Sequence, residues 1–343
     1  MREILVTGGN GFVGRHLVSA LQERGDGVRV LALPSEDTSW LESRGVVVYR
    51  GDVRQPETLV APVFGVYGVL HLAAMMDVWR PMDHYWAVNV TGAENVCRAA
   101  LAAGVHRLVH MSSSSVYGMA LGQPADETFP LTPFRDPYPV TKAEGDKAVQ
   151  RMRAEERLPA VIVRPDQIFG PGDHLHFAHM ADRLRAGKGI IVGSGRNAVP
   201  FIYISDVVQG LLLALDEPSA VGQIYNITND EPLTQQELMD AIAHEIGARP
   251  PRLHVPYHAL LAAGHGAERF ATLTGSMRRP PVTRLGVAFM GTDNRYAIGK
   301  ARRELGYRPR VPLREGIRLA ATWYLNRGVA PTGTPAAVGR PGE

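Results

Sequence analysis

A glycine-rich turn between a short apolar segment and a helical pattern restricts the fold of this chain most. Residues 3–14 read EILVTGGNGFVG, so the glycines directly follow a predicted strand. The next residues place Leu17, Val18 and Leu21 on one side of a predicted helix, which Gly25 would end. Such glycines let the backbone approach a pyrophosphate, whose charge the free N–H groups of the helix N-terminus stabilise. A tight turn without a ligand is the alternative. The predicted dinucleotide contacts here are Gly8, Gly11, Phe12, Val13 and Gly14.

The residues after the second predicted strand, 27–33, bear on the choice between NAD and NADP. An acidic residue there would accept a hydrogen bond from the ribose 2′-OH, whereas an arginine would bind a 2′-phosphate. The sequence has ALPS at 32–35, with Glu36 and Asp37 slightly later. The predicted cofactor is therefore NAD or NADP. A slight preference for NAD follows from the lack of an arginine, and Ser35 is expected to contact the cofactor.

Strand-like and helix-like segments alternate along the first half of the chain. Further predicted strands cover residues 46–53, 68–74, 107–118 and 160–173, and a helical stretch covers 85–103. This alternation predicts an α/β fold with a doubly wound parallel sheet, a Rossmann fold, in which ligands bind beyond the carboxyl ends of the strands. The residues expected at that edge are Asp52, His71–Ala74, Ser112–Ser115 and Pro165–Gln167.

Tyr138 and Lys142, within PYPVTKAEGDK (137–147), are four residues apart and share one face of a predicted helix. A phenol and an ammonium group titrate near pH ~10 and ~10.4, so neither alone transfers protons well near neutrality. A neighbouring cation favours the phenolate, which would make the pair a competent general acid and base. Two surface residues at a common spacing are the alternative.

The motifs TGGNGFVG, GDV, HLAA, NVTGAENV, MSSSSVYG, YPVTK and RPDQIFGPG, in this order, resemble those of the extended short-chain dehydrogenase/reductase family over residues 2–327. The resemblance implies that Tyr138 is the general acid/base and that Lys142 lowers its pKa and holds the nicotinamide ribose. It also implies that Ser113 is the catalytic hydroxyl. Tyr117 has no lysine four residues later and is expected to pack.

The resemblance also extends the predicted cofactor site. Asn89 begins the NVTG motif and is interpreted as a structural bridge between strands rather than as a reacting group. The further residues expected to contact the dinucleotide are Asp52, Val53, Leu72, Ala73, Ala74, Asn89, Tyr138, Lys142, Pro165 and Ile168.

Three observations bear on the branch of the family. Ser114 and Ser115 stand where dehydratase relatives carry a carboxylate, and Gln167 replaces an asparagine that contacts the diphosphate of nucleotide sugars. Residues 279–309 are similar to the end of the 3β-hydroxysteroid dehydrogenase-like branch, which acts on bulky apolar alcohols and ketones.

The resemblance therefore implies an enzyme, an NAD(P)-dependent oxidoreductase that interconverts a ketone and a secondary alcohol. The expected substrate is bulky and largely apolar: steroid-like, a β-keto acid or a natural-product ketone. A nucleotide-sugar epimerase or ketoreductase is the first alternative. A non-catalytic NAD(P)-binding regulator is the second.

Residues 276–310 hold nine Lys or Arg against two Asp or Glu. A solvated surface is the default explanation. An acidic group on the substrate is the functional one, with Arg284 and Arg295 as candidates for bidentate contact. The histidines of residues 172–180 are expected in a substrate loop, and no metal is predicted. The predicted substrate-binding residues are Ser114, Gln167 and Arg284.

The expected organisation has two interleaved domains and a tail. A dinucleotide-binding domain covers residues 1–170, and the chain returns to this domain near residues 200–228. A smaller C-terminal substrate domain is formed by 171–199 and 229–327. Residues 328–343 are rich in Gly, Pro and Ala and are predicted to be a flexible tail.

Charge and composition exclude several partners. The chain has 37 Lys and Arg against 34 Asp and Glu, which indicates no general affinity for nucleic acid. It has no run of 18 apolar residues, so no membrane span is predicted, and its N-terminal apolar run is too short for a signal peptide. The single cysteine, Cys97, suits a reducing, cytoplasmic location. By resemblance, a homodimer is expected.

Overall fold

The computed structural model describes residues 1–76, 78–229, 231 and 233–327, so the predicted flexible tail, 328–343, lies outside the described residues. The described strands, in chain order, are β1 (Glu3–Thr7), β2 (Gly27–Ala32), β3 (Val47–Arg50), β4 (Gly68–His71), β5 (Arg107–Met111), β6 (Ala160–Pro165), β7 (Gln167–Phe169), β8 (Ile191–Val192), β9 (Ala198–Val199), β10 (Phe201–Tyr203), β11 (Ile224–Ile227), β12 (Leu233–Thr234) and β13 (His254–Val255).

Seven of these strands form one parallel sheet in the order β11-β6-β5-β4-β1-β2-β3. The chain first proceeds from β1 to β3 and then continues from β4 on the other side of β1. This reversal of direction confirms the predicted doubly wound α/β fold. Ligands of such sheets bind in the crevice at the switch point, here between the carboxyl ends of β1 and β4.

Helices cover both faces of the sheet and the region beyond its carboxyl edge. They are α1 (Phe12–Glu23), α2 (Ser39–Ser43), α3 (Val60–Val63), α4 (Met82–Trp86), α5 (Ala93–Ala102), α6 (Pro137–Glu156), α7 (Phe177–Arg185), α8 (Ile204–Asp216), α9 (Gln235–Glu245), α10 (Tyr257–Leu273), α11 (Arg284–Gly291), α12 (Gly299–Leu305) and α13 (Leu313–Asn326). Short 3-10 turns cover Pro56–Leu59, Ser114–Tyr117 and Pro218–Ala220.

Runs of apolar residues explain the central strands, because parallel strands are buried on both faces. Val6 faces the core with α1 and α8, whereas Leu5 faces the core with α5 and α6. The predicted end of α1 is confirmed, since Gly25 adopts a left-handed φ of 79° that closes the helix.

Three predicted elements are broken in the structure. The predicted strand 107–118 ends at Met111, and Ser114–Tyr117 form a 3-10 turn capped by Ser113. The predicted strand 160–173 ends in the central sheet at Pro165, which has no N–H to donate, and the chain resumes in β7 beside β10. The predicted helix over 85–103 contains a π-helical segment, Ala87–Gly92, between α4 and α5. All three breaks lie beside the ligand edge of the sheet.

The segment expected to return to the sheet, residues 200–228, contains α8, which packs against the sheet, and β11, which pairs with β6. Three two-stranded sheets, β10-β7, β12-β9 and β13-β8, lie among α9–α13. The domain limits given above stay a prediction.

Candidate active site

The glycine turn lies at the switch point of the sheet. The N–H of Gly11 donates a 3.1 Å hydrogen bond to the main-chain oxygen of Gly8, which adopts a φ of 71°. A Cβ on Gly8 would lie 2.8 Å from the backbone nitrogen of Ala73, and one on Gly14 would lie 2.2 Å from the oxygen of Gly8. These two glycines therefore serve close packing of the turn against α1 and against the loop after β4.

Gly11 differs from its neighbours because its missing side chain leaves open space. Within 4 Å, a Cβ there would meet among the described residues only the oxygen of Gly8, at 3.3 Å. Gly11 is also the N-cap of α1; within the described chain no side chain caps this helix, and its first turn has no acidic residue. Open space beside uncapped N–H groups fits a dinucleotide pyrophosphate.

The segment after β2 carries charges of both signs. Arg15 donates to the backbone oxygen and to Oδ1 of Asn10, at 3.0 and 2.9 Å, and its guanidinium lies 5.1 Å from the centre of the Trp40 ring. Burial raises the pKa of Glu36, and Arg15 is among the cations that oppose this rise. Ser35 is exposed in the same segment. A cation and a carboxylate thus stand where a ribose 2′ position would be recognised.

The other predicted cofactor residues lie along the same edge. The carboxylate of Asp52 after β3 pairs with Arg54 at 2.6 Å, a contact that lowers the pKa of Asp52. In the loop after β4, the N–H of Ala73 donates to Thr7 Oγ1 at 3.2 Å. The structure places the remaining residues of this set, Val53, Leu72, Ala74, Pro165 and Ile168, at or just beyond the carboxyl ends of β3, β4 and β6.

Asn89 connects two elements behind the cofactor edge. It is buried in the π-helical segment, where Oδ1 accepts from the N–H of Met75 at 2.7 Å. Its Nδ2 donates to the oxygen of Met75 and to Thr141 Oγ1, both at 3.0 Å. The predicted bridge between strands is therefore wrong, because Asn89 joins the loop after β4 to the helix α6.

The two elements that carry the three predicted catalytic residues lie together at the carboxyl end of β5. Ser113 lies two residues beyond this strand and caps the following 3-10 turn. Tyr138 and Lys142 lie in the first two turns of α6, whose N-cap, Asp136, accepts from the N–H of Tyr138. Lys142 Nζ donates a 2.7 Å hydrogen bond to the oxygen of Met111, the last residue of β5, and so joins the two elements.

The environment of Lys142 tunes its charge. Burial lowers the pKa of Lys142 to about 8, although Asp146 one turn later opposes part of this change. Burial, and to a lesser degree Lys142, lowers the pKa of His71 to about 3, so that this imidazole is neutral. Its Nδ1 lies 2.7 Å from Thr7 Oγ1. At neutral pH, Lys142 is a cation in a site with little water, which favours the phenolate form of a nearby tyrosine.

A buried polar network supports this site from behind. Asp146 pairs with Arg164 of β6 at 2.8 Å and accepts from Ser112 Oγ at 2.6 Å. Arg164 also donates to the Tyr117 hydroxyl, which donates to Asn226 Oδ1. Tyr117 is fully buried, and burial raises its pKa to about 12, so its predicted packing role is confirmed.

The structure gives two of the three predicted substrate residues other partners. Ser114 is buried and donates a 3.0 Å hydrogen bond to Asp166, so its hydroxyl belongs to the support of the site. Arg284 donates to Glu268 at 2.6 Å, so its charge is compensated. Gln167 is half-buried at the start of β7. The carboxylate of Asp166, from a distant segment of the chain, therefore lies beside the serine run at Ser114.

Sequence reasoning missed several residues of this site. Asp146 could have been found from the sequence. It lies four residues after Lys142, the same spacing that separates Tyr138 from Lys142. Asp166 lies within the segment Pro165–Gln167 that is expected at the ligand edge, but its bonds had no signal, since its partners Ser114 and Thr228 lie 52 and 62 residues away in the chain. Within the described chain, no three His, Cys, Asp or Glu side chains are grouped to hold a metal ion. Nor does the described part contain a helix with the length and hydropathy of a membrane span.

The chain is similar in sequence and in fold to several known proteins. The model of the NAD dependent epimerase/dehydratase family covers residues 4–228. A 2-alkyl-3-oxoalkanoate reductase of Stenotrophomonas maltophilia is 35% identical over 324 residues, covering 92% of this chain and 97% of its own. A 3-beta-hydroxysteroid dehydrogenase of Mycolicibacterium neoaurum is 32% identical over 338 residues, covering 94% and 91%. The structure of the dTDP-glucose 4,6-dehydratase DesIV of Streptomyces venezuelae, with NAD bound, aligns at a TM-score of 0.77 and 27% identity, covering 95% and 98%.

Proposed function

The chain belongs to the NAD-dependent epimerase/dehydratase family, and from this premise we propose that its substrate is a ketone or secondary alcohol on a bulky, largely apolar frame. Its relatives at 30–35% identity include named ketoreductases and 3β-hydroxysteroid dehydrogenases. The chain is accordingly an NAD(P)-dependent oxidoreductase of the extended short-chain type, acting on ketones and alcohols.

The bond from Lys142 to Met111 is the observation that supports this function, because it joins the helix that carries Tyr138 to the end of the strand that precedes Ser113. The nicotinamide, when bound, supplies or accepts the hydride. In the direction of reduction, the Ser113 hydroxyl donates to the carbonyl oxygen, where negative charge develops. Tyr138 gives its phenolic proton to that oxygen, and the Lys142 cation stabilises the phenolate that remains. Oxidation of an alcohol uses the same groups in reverse.

Two observations favour an apolar ketone over a nucleotide sugar. The positions that carry an extra carboxylate in dehydratase relatives are Ser114 and Ser115, and Gln167 stands where nucleotide-sugar enzymes carry an asparagine. The nearby carboxylate of Asp166 is buried and bonded to Ser114 and Thr228, so it is held within the protein.

The cofactor is proposed to be NAD, with a modest preference over NADP. Arg15 and Glu36 lie at the same site, so neither the phosphate nor the free 2′-OH is strongly favoured. A kcat/KM ratio between NADH and NADPH above about 100, or roughly 2.7 kcal/mol, would contradict this. A large preference for NADPH that disappears in Arg15→Gln would identify the residue responsible.

A direct competition between substrate classes tests the proposal. Steroid and long-chain β-keto substrates are assayed beside UDP-, dTDP- and GDP-sugars, with stoichiometric consumption of NADH or NADPH as the measurement. Apolar ketones are expected to be reduced. Epimerisation or reduction of a nucleotide sugar at ~10⁴ M⁻¹s⁻¹ or more, with the ketones inert, would replace this assignment by an epimerase. Cofactor binding without any turnover would favour a regulator.

Two further properties stay proposals. A homodimer is implied by the family resemblance and is tested by the mass of the protein in solution. A cytoplasmic location is supported by the single cysteine, Cys97, which is buried and free.

A further inference from the structure

A cavity of about 440 Å³ lies beside the loop that leads into α6. Apolar side chains form much of its wall, and two arginines complete it. None of the described residues that line it is acidic. The lining residues used below are Met119, Phe134, Arg135, Tyr257, Arg284 and Ala288. A cavity with an apolar wall and positive charge fits an amphiphilic anion.

The two arginines of this cavity differ in their partners. The side chain and the backbone N–H of Arg284 donate to Glu268, at 2.6 and 2.7 Å, and the Glu268 side chain is only 8% exposed. Arg135 makes no hydrogen bond or ion pair with any residue that the structure describes. The uncompensated charge of the cavity is therefore that of Arg135.

The chain places this charge close to the catalytic residues. Arg135 immediately precedes Asp136, the cap of α6, and stands three residues before Tyr138. At 3.8 Å between consecutive Cα atoms, the two residues are at most about 11 Å apart along the chain. The carbon chain and the anionic end of one small substrate can span that length.

The backbone beside Arg135 supports a binding role. Ala120, which also lines the cavity, has a φ of 59°, a conformation that costs free energy for a residue with a Cβ. Its N–H donates a 3.0 Å hydrogen bond to Oδ1 of Asn294, a buried side chain. The buried side chain of Asn294 thus stabilises the strained backbone of Ala120 at the wall of the cavity. Strained backbone of this kind is common at ligand sites.

We propose that Arg135 binds a carboxylate of the substrate in this cavity, so that keto acids with an apolar chain are the preferred substrates. The guanidinium and carboxylate match in geometry and charge. The apolar wall formed by Met119, Phe134 and Ala288 contacts the chain. This assignment rests on the ketone reductase activity proposed above, and it replaces Arg284 and Arg295 as the residues that recognise an anion.

Matched acids and esters test the role of Arg135. 3-Oxododecanoate and 5-oxododecanoate are each assayed beside their methyl esters at low ionic strength. The wild type is expected to prefer the acids, and Arg135→Gln to reduce the acid-to-ester ratio of kcat/KM about tenfold, mainly through KM, because a contact made equally in ground and transition state changes binding. Arg135→Lys keeps the charge and should restore part of the ratio. Arg252→Gln, at another exposed arginine, is the control and should behave as wild type.

A binding measurement separates this inference from the proposed function. Calorimetry with dodecanoate, which has no carbonyl to reduce, reports carboxylate binding alone. Weaker binding in Arg135→Gln, by about tenfold, supports the assignment even if no ketone is turned over, in which case only the reductase function is wrong. Equal dodecanoate affinity in the two proteins, or an unchanged acid-to-ester ratio in an active enzyme, overturns the role of Arg135.

Discussion

The ammonium group of Lys142 donates a 2.7 Å hydrogen bond to the main-chain oxygen of Met111. This contact ties α6 to the end of β5 and leaves two ammonium hydrogens for other acceptors. It fixes the distance between a helix that carries Tyr138 and a loop that carries Ser113. A buried cation held in this way acts on a phenol more strongly than a mobile surface lysine would, because little water screens it.

Tyr138→Phe should retain dinucleotide affinity and lose most turnover. The substitution removes the proton that stabilises the reacting oxygen, and general acid–base groups contribute ~10²–10⁴-fold in rate. Single-turnover kinetics and cofactor titration measure the two effects. Tyr67→Phe, at the opposite end of β4, is the matched control and should turn over like the wild type. A Tyr138→Phe enzyme within a few-fold of wild type would remove this residue from the mechanism.

Lys142→Met should shift alcohol oxidation to higher pH. Oxidation needs the phenolate, and loss of the neighbouring cation raises the pKa of the Tyr138 phenol. The rise of kcat/KM with pH should therefore begin at a higher pH than in the wild type, whose profile belongs to the coupled tyrosine–lysine pair. Lys142→Arg keeps the positive charge and should shift the profile less. An unchanged profile in Lys142→Met would show that Lys142 acts only in binding.

Gly11→Val should abolish dinucleotide binding in a folded protein. The φ of Gly11 is −73°, which any residue can adopt, and the new side chain would extend into the space left for the pyrophosphate. Calorimetry on the folded variant measures the loss. Gly266→Val is the control, at an exposed glycine of α10 where an added Cβ would meet no described heavy atom within 4 Å. Retained affinity in Gly11→Val would mean that the turn is only structural.

The parts of the site predicted from sequence are those encoded by local spacing. The glycine turn and the Tyr138–Lys142 pair each lie within one helix or one turn, where the position of a side chain follows from backbone periodicity. Contacts between distant segments have no such signal. Residues 160–173 are predicted from the sequence to form one strand. The strand ends at Pro165, and the next residue, Asp166, is bonded to Ser114 and Thr228 in distant segments.

The role proposed for Arg135 could not be predicted from the sequence either, because it depends on contacts between distant segments. Its neighbour Asp136 and the following Tyr138 are in the motif region, but the charge of Arg135 becomes informative only beside the compensated Arg284. That compensation depends on Glu268, which belongs to α10. The count of basic residues between 276 and 310 could not show that Arg284 is paired with Glu268, because that pairing joins two separate helices.

Asp166 should make the wild-type protein lose stability as pH rises towards neutrality. Burial raises the pKa of this carboxyl from an ordinary 3.8 to about 7, although hydrogen bonds from Thr228, Ser114 and the N–H of Gln167 oppose the change. Between these two pH values the native state binds more protons than the unfolded state, so the free energy of unfolding falls with rising pH. The stabilisation is complete below about pH 4 and is lost as pH passes 7.

Asp166→Asn removes this titration, and its unfolding free energy should show a smaller decrease between pH 5 and pH 8 than that of the wild type. Of the rise in pKa from 3.8 to about 7, only the part between pH 5 and pH 7 contributes here, which sets an upper limit of roughly 3 kcal/mol on the difference. Denaturant unfolding at the two pH values measures it, and Glu23→Gln, at an exposed side chain, should retain the wild-type decrease. If the unfolding free energies of the wild type and Asp166→Asn decrease equally, Asp166 is ionised throughout this pH range. The hydroxyls of Ser114 and Thr228 would then be sufficient to stabilise a buried carboxylate next to the catalytic serine.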